Sequence, residues 1–227
     1  ELINADSVND AGYTGSGVLV AVVDTGIDQW HGEFRDTNNN YVNLGTGINY
    51  SGSSTNAWYD GNGHGTHVAS IIAGERDGTG MRGVAYDATL WSYKIGNDSG
   101  TISLNNSDWA SLVTSHNTNN IDVSNNSWGN TAVMTDDASA NWIESNYAST
   151  VDAYQAAVSA GTIFVWAAMN EADSETSWQA GMPKYVTGIE DGWLAVVAVD
   201  NNLKEPVYTN RCGLAADWCV AAPGGGD

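Results

Sequence analysis

The segment Val18-Leu-Val-Ala-Val-Val23, followed directly by Asp24-Thr-Gly26, decides the fold class. An uninterrupted apolar run that ends in a turn is typical of a strand buried on both faces of a parallel sheet. Further strands are predicted at residues 90–95, 121–125, 162–168 and 193–199, and helical patterns lie at residues 66–74, 107–116 and 145–160. Strands that alternate with helices predict an α/β fold in which helices flank a mostly parallel sheet.

Helix boundaries are also indicated by single residues. The short polar residues Thr66 and Ser107 are expected to open the first two helices. Gly161 stands where a glycine commonly ends a helix, directly after the third helical pattern.

Length and composition indicate a globular protein. The chain has 227 residues, of which 42% are hydrophobic and 15% charged, and it contains neither an internal repeat nor a linker-like segment. We therefore predict that residues 1–227 belong to a single domain. No apolar run approaches the ~20 residues of a membrane-spanning helix, and residues 1–20 do not resemble a targeting signal. If the protein is exported, we expect its targeting and pro-segments to have been removed.

The charge balance is strongly acidic, with 7 Lys and Arg against 27 Asp and Glu and a formal net charge of −20. A polyphosphate or an anionic membrane requires clustered cations, so this balance argues against both as partners. The acidity fits solubility, salt tolerance or an affinity for divalent cations, and equally an acidic surface without a specific partner.

Three polar side chains stand out by their positions. Asp24 and Asn170 each follow a predicted strand, at the sheet edge where parallel α/β folds place their sites. His64 has a glycine on each side, which leaves an imidazole accessible at a helix start. A general base must be accessible and oriented by a carboxylate, and an Asn amide can donate to a developing oxyanion.

Each of these residues also has a plainer interpretation. Asp24 could cap a helix, His64 could be structural, and Asn170 could be a turn residue. His64 with His67 suggests a metal site, but helical zinc sites space their histidines four apart with an intervening Glu. We therefore expect His67 to be a packed residue.

Cys212 and Cys219 are separated by six residues and could be bridged or free. A metal site usually needs four ligands, and no further Cys or His is near in sequence. A disulfide across so short a loop would contribute about 2.5 kcal/mol to stability and would imply an oxidising compartment. We predict a bridge and export.

Four segments together resemble one family, the subtilisin-like serine proteases or subtilases. Residues 20–28 resemble their aspartate motif and residues 63–69 their histidine motif, in the family's order. Residues 126–129 resemble their substrate-binding strand and residues 167–171 their oxyanion-hole motif. The resemblance extends from Gly15 to Gly224, and its C-terminal part is most similar to autotransporter-type subtilases of Gram-negative bacteria.

The resemblance implies a three-layer subtilisin-like fold and a serine endopeptidase with an Asp-His-Ser triad, an acyl-enzyme and no cofactor for the chemistry. Asp24 would orient His64, the general base, and Asn170 would donate to the oxyanion. The partners would be protein or peptide substrates and a propeptide, and the location would be secreted, extracellular or on a bacterial cell surface. The implied substrate-binding residues are Ser99, Gly100, Ser127, Trp128, Gly129, Ala168 and Met169.

Two departures from the family pattern matter. The serine motif, Gly-Thr-Ser, is absent from residues 1–227. We expect the serine on a C-terminal remainder of the domain after Asp227, which would leave this chain inactive alone. The alternative is an inactive subtilase-fold module that binds peptides or serves as a scaffold. Met169 stands where the family usually has Gly, next to the primary specificity pocket, which it would narrow or reshape.

The resemblance also implies a structural calcium site. Glu33 and Asp77 would supply carboxylates, and backbone carbonyls of the loop 75–81 would complete the ligand set. An acidic loop without a metal is the alternative in so acidic a chain.

Overall fold

The computed structural model describes residues 3–53, 56–131 and 138–225. The chain forms two compact units. The first comprises Asn4–Asp108 and Thr118–Asn125, and the second comprises Glu1–Ile3, Trp109–Asn117 and Asn126–Asp227. The single domain that the sequence indicates stays a prediction.

The first unit is built on four parallel strands in the order β2-β3-β1-β4. Asp24 and Lys94 are opposite each other at the carboxyl ends of β1 and β3. The elements are α1 (Ala5–Asp10), β1 (Leu19–Asp24), a 3₁₀ helix (Gly32–Phe34), β2 (Leu44–Asn49), α2 (His64–Ala73), β3 (Thr89–Lys94) and β4 (Val123–Asn126).

The core of the first unit joins β1 to α2. Val20 and Val22 on β1 belong to one buried cluster with Ala69 and Ala73 on α2. The small helix residues allow α2 to lie close to the sheet, and each buried Val contributes about 1.5–3 kcal/mol to stability. This packing fixes the start of α2 relative to the end of β1.

The second unit contains three parallel strands in the order β5-β6-β7. Its longest helix has a non-helical residue at Tyr147. Residues 109–117 of α3 belong to this unit. The elements are α3 (Asn106–Thr118), α4 (Ala138–Ser159), β5 (Ile163–Ala167), β6 (Trp193–Val199), β7 (Cys219–Pro223) and 3₁₀ helices at Met182–Lys184, Glu190–Gly192 and Gly213–Trp218.

Aromatic rings dominate the core of the second unit. Trp166 and Trp193 stack with ring centroids 5.5 Å apart, and Tyr154 meets Trp193 edge-on at 5.0 Å. Trp193 Nε1 donates to the carbonyl of Gln179 at 3.1 Å, so its polar edge is satisfied. Edge-on and offset pairs of this kind add about 0.5–1.5 kcal/mol each to the free energy of area burial.

Most predicted elements are present, but several boundaries were wrong. α2 begins at His64 after Gly63, a residue with φ +93° and no side-chain cap, so Thr66 does not open it. α3 begins at Asn106, and Asn105 Oδ1, not Ser107, accepts from the first-turn N–H groups. α4 begins at Ala138 rather than residue 145.

Among the described residues, none of the helices combines the length and the apolar composition that crossing a bilayer requires.

The predicted end of the third helix is present, since Gly161 follows α4 with φ +107°. Strands β2 and β7 were not predicted.

Candidate active site

Asp24 is the last residue of β1, and its side chain is only 3% exposed. Its Oδ1 accepts hydrogen bonds from the N–H of Thr25 at 2.7 Å and from the Thr25 hydroxyl at 3.3 Å. These hydrogen bonds offset part of the free energy that burying the carboxylate costs.

His64 is the first residue of α2, and its side chain is 48% exposed. Its Nδ1 lies 2.8 Å from Asp24 Oδ1 and 3.0 Å from Oδ2. Nδ1 therefore carries the proton that is shared with the carboxylate, and Nε2 is the basic nitrogen of the neutral ring. No hydrogen bond to Nε2 occurs among the described residues.

The surroundings shift the basicity of His64. The hydrogen bond with Asp24 raises the pKa of the imidazole above its usual value. Burial acts in the opposite direction, and the negative charges of Asp24 and Asp60 raise the pKa further. The imidazole is thus a better proton acceptor than a free histidine.

Asp60 holds the first turn of α2. Its Oδ1 accepts from the N–H of Gly63 at 2.9 Å, and its Oδ2 accepts from the N–H and the hydroxyl of Thr66 at 2.9 and 2.7 Å. Burial raises the pKa of Asp60, but the hydrogen bonds from Thr66 and Gly63 outweigh it and lower the pKa overall. Asp60 supplies the capping that the glycine at the helix start does not.

Gly65 allows α2 to approach the turn after β1. A Cβ atom at this position would lie 2.1 Å from the carbonyl oxygen of Gly26 and 3.1 Å from Asp24 Cβ. Its N–H donates to the Thr25 hydroxyl at 3.0 Å. Thr25 thus links the Asp24 carboxylate to the helix that carries His64.

Lys94 is a fully buried cation behind the same turn. Its ammonium donates to the carbonyl of Thr25 and lies 3.8 Å from Asp98 Oδ1. Sequence reasoning missed Lys94, Asp60 and Thr25. The one available signal was a lysine inside an otherwise apolar strand pattern, which indicates a cation that is buried with a partner.

Asn170 lies in the second unit, three residues after the end of β5. Its side chain is exposed, and its amide makes no hydrogen bond among the described residues. Asn210 fixes the turn in which it lies. Asn210 Oδ1 accepts from the N–H groups of Glu171 at 2.8 Å and Asp173 at 3.2 Å, and the N–H of Asn210 donates to the Met169 carbonyl at 3.0 Å.

The predicted substrate segment Ser127–Gly129 follows β4. Trp128 stacks on Trp109 with centroids 4.9 Å apart and meets Trp166 edge-on at 5.1 Å. The Met169 side chain packs against Gly129. A Cβ atom added at residue 129 would lie only 2.7 Å from Met169 Sδ, so the contact requires glycine there. Ala168, next to Met169, is buried. The structure thus brings four of the predicted residues, Trp128, Gly129, Ala168 and Met169, into one region of the second unit.

Ser99 and Gly100 form an exposed turn in the first unit. The N–H of Ser99 donates to Asn97 Oδ1 at 3.0 Å, and the N–H of Gly100 donates to the Asn97 carbonyl at 2.8 Å. Gly100 has φ +79°, a conformation that favours glycine. Their role in substrate binding stays a prediction.

The predicted disulfide is present between Cys212 and Cys219, with Sγ atoms 2.04 Å apart. His67, by contrast, is exposed, so the prediction that it is packed was wrong. It lies on the outer face of α2 because the inner face is occupied by Val68, Ala69 and Ala73.

Glu33 is the described residue that bears most directly on the calcium prediction. Its Oε2 is buried without a hydrogen-bond partner, and its Oε1 accepts from the N–H of Met81 at 3.3 Å. Asp77 Oδ1 accepts from the N–H of Thr79 at 2.7 Å. No group of three or more His, Cys, Asp or Glu side chains poised for a metal occurs in the part of the chain that the structure describes.

Comparison with known proteins supports one family. The family model described as "Subtilase family" matches residues 15–226. Subtilisin NAT of Bacillus subtilis subsp. natto is 33% identical over 231 residues, which cover 98% of this chain and 50% of the relative. The extracellular serine protease of Serratia marcescens is 27% identical over 261 residues, covering 99% of this chain and 24% of that protein. The chain therefore spans about half the length of Subtilisin NAT.

A solved structure supports the fold. The psychrophilic subtilisin-like protease Apa1 from the Antarctic psychrotroph Pseudoalteromonas sp. AS-11 matches with a TM-score of 0.69 and 26% identity, covering 98% of this chain and 44% of that chain. The predicted three-layer α/β fold with a mostly parallel sheet is thereby confirmed.

Proposed function

The chain belongs to the subtilase family, and we propose that it supplies the catalytic Asp and His of a serine endopeptidase whose nucleophilic serine lies beyond residue 227. The observation that carries the proposal is the 2.8 Å contact between His64 Nδ1 and Asp24 Oδ1. This contact orients the imidazole of His64 through its Nδ1 and leaves Nε2 accessible. A general base must be oriented and accessible in this way.

In this mechanism His64 Nε2 accepts the proton from the serine hydroxyl as the oxygen attacks the scissile carbonyl. The Asp24 carboxylate stabilises the imidazolium that forms. The same Nε2 then returns the proton to the leaving amine, and water hydrolyses the acyl-enzyme by the reverse sequence of proton transfers. The raised pKa of His64 favours the first of these transfers.

Asn170 is assigned to the oxyanion. Its exposed amide is available to donate a hydrogen bond, and Asn210 fixes the turn that carries it. A donor positioned before the reaction stabilises charge that develops only in the transition state. Ser99, Gly100 and Ser127–Gly129 are assigned to the peptide backbone of an extended substrate, with Ala168 and Met169 beside the scissile bond.

The proposed partners and location follow from the same assignment. The substrates are proteins or peptides, and a C-terminal remainder carrying the serine completes the domain, with a propeptide as a further partner. We assign the protein to the outside of the cell or to a bacterial cell surface. A relative named as an extracellular serine protease and the disulfide support this location. That relative, from Serratia marcescens, also supports the autotransporter-type placement.

A hydrolysis experiment separates the enzyme from an inactive peptide-binding module. The full-length protein is incubated with a denatured protein substrate, and the products are identified by mass spectrometry beside the His64→Ala variant. New termini from the wild type but not from the variant support the endopeptidase. Binding of the substrate without cleavage by either protein would establish the inactive module instead, and equal cleavage by both would refute the role of His64.

We also propose a structural calcium ion at Glu33. A buried carboxylate oxygen without a donor costs free energy that a hard cation would recover, and Glu33 Oε2 is such an atom. Asp77 and backbone carbonyls of the loop 75–81 are the further ligands. The ion would stabilise this loop and would take no part in the chemistry.

Thermal unfolding tests this calcium site. Calcium at about 100 times its dissociation constant should stabilise the full-length protein by about 2.7 kcal/mol, and a chelator should remove that gain. Glu33→Gln should abolish the response to calcium, whereas the exposed Glu144→Gln should preserve it. An unchanged melting temperature with calcium, or an unchanged response in Glu33→Gln, would exclude the site.

A further inference from the structure

Met169 has a backbone conformation that residues with a side chain rarely adopt. Its φ is +92°, the largest positive value of any non-glycine residue that the structure describes. Most of the other residues in this class are asparagines, which tolerate the left-handed region, whereas a long unbranched side chain does not favour it. Such conformations persist where surrounding contacts enforce them, and they concentrate at functional sites.

Two contacts hold Met169 in place. Its carbonyl accepts from the N–H of Asn210 at 3.0 Å. Its thioether lies directly on Gly129: a Cβ atom added at residue 129 would lie 2.7 Å from Met169 Sδ. The same added atom would lie 3.2 Å from Ser177 Oγ, so Ser177 borders this space as well. The Met169 side chain therefore occupies the space between the turn 168–170 and the segment 127–129.

The position of Asn170 determines which part of a substrate would meet this thioether. If the Asn170 amide donates to the oxyanion, the scissile carbonyl lies beside it. The residue that contributes this carbonyl, the acyl-side residue, has its Cα bonded to the carbonyl carbon. The side chain of the acyl-side residue must therefore begin next to Asn170. Within this unit, Met169 and Gly129 are the residues that would line the space around it.

We propose that Met169 is a specificity-determining residue that restricts the acyl-side residue of the substrate to small side chains such as Ala, Ser or Gly. The inference rests on the proposed function, because it needs Asn170 as the oxyanion donor. Met169 is not a catalytic residue in this account. It fills volume that a larger side chain of the substrate would need.

Peptide hydrolysis by the full-length protein tests the proposal. Substrates that differ only in the acyl-side residue, Ala or Phe, are compared by kcat/KM. The wild type should favour Ala by about 10-fold or more, and Met169→Gly should raise the Phe-to-Ala ratio by about 10–200-fold, the range that one side-chain group commonly controls in a pocket. Met169→Leu, which keeps the volume, should retain the wild-type ratio.

Leu203 offers a matched control. It is another apolar residue with positive φ, +60°, and it is 67% exposed. Leu203→Gly therefore makes the same kind of backbone change away from Met169, and it should leave the Phe-to-Ala ratio unchanged. A shift in that control equal to the shift in Met169→Gly would assign the effect to chain flexibility and overturn the proposal.

Other outcomes are equally decisive. Methionine is flexible, and if its side chain swings aside the wild type will cleave after Phe as well as after Ala, which refutes the proposal while leaving the endopeptidase intact. Absence of hydrolysis with every peptide refutes the proposed function itself, and this inference with it. If Met169→Gly does not fold, the rates at which phosphonate inhibitors with Ala-like or Phe-like side chains inactivate the wild type give the same comparison.

Discussion

The Asp24–His64 pair and the Met169–Asn170 turn are held in different ways. The pair lies where a strand ends and a helix begins. Thr25 joins these two ends through hydrogen bonds, and Asp60 caps the start of the helix. The turn has no regular element at Asn170. It is held by the side chain of Asn210 and by a hydrogen bond from the N–H of Asn170 to Glu171 Oε2 at 3.0 Å. Asp24 and His64 are thus fixed by the fold itself, whereas the turn that carries Asn170, the proposed oxyanion donor, is held locally with Asn210 as its clamp.

The largest effect is expected at the pair. Asp24→Asn in the full-length protein should lower kcat by about 10⁴-fold, the scale known for this change in other serine proteases, because an Asn amide can select the wrong imidazole tautomer. Peptide hydrolysis measures the loss. The exposed Asp217→Asn should retain activity, and a loss of less than about tenfold for Asp24→Asn would contradict the assignment.

The same variant changes the pH profile. The base acts as neutral imidazole, so kcat/KM falls as the pH drops through the pKa of His64, which is raised in the wild type. Asp24→Asn removes the cause of that rise, and the acidic limb should move to lower pH. The interaction of protonated His64 with Asp24 also adds to the free energy of unfolding. This contribution is fully present below the ordinary pKa of histidine and is lost as the pH rises through the raised pKa of His64.

A smaller effect is expected at Asn170. Asn170→Ala should lower kcat by about 10²–10³-fold, the scale known for such a donor in subtilisin, and it should leave KM nearly unchanged because the ground-state carbonyl gains little from the donor. Asn170→Asp should be as harmful or worse. The exposed Asn201→Ala is the control. A raised KM with an unchanged kcat would make Asn170 a positioning or turn residue.

The smallest effect on catalysis is expected at the clamp. Asn210 is 2% exposed, and its side chain makes three hydrogen bonds, to Glu171, Asp173 and the carbonyl of Glu175. Asn210→Ala should cost about 3 kcal/mol of unfolding free energy and lower kcat less than Asn170→Ala does. Chemical denaturation measures the loss of unfolding free energy, peptide hydrolysis measures kcat, and NMR titration measures the pKa of His64. A shifted pKa of His64 would show that the pair also depends on the clamp.

The sequence predicted some residues of the site far better than others. Asp24 and His64 were found because an apolar strand and a glycine-flanked histidine are local patterns. Lys94 and Asn210 were missed because their partners, Thr25 and Glu171, are 69 and 39 residues away. β2 was missed because two glycines, Gly45 and Gly47, interrupt its apolar pattern. Contacts that depend on the finished fold leave little trace in any short window of sequence.

The most direct test of the account is the site that a serine-directed fluorophosphonate labels in the full-length protein, mapped by peptide mass spectrometry. We predict a single labelled serine in a Gly-Thr-Ser context beyond residue 227, with labelling lost in His64→Ala. Labelling of a serine within residues 1–227, or no labelling of a preparation that hydrolyses peptides, would contradict the proposal that Asp24 and His64 serve a nucleophile outside this chain.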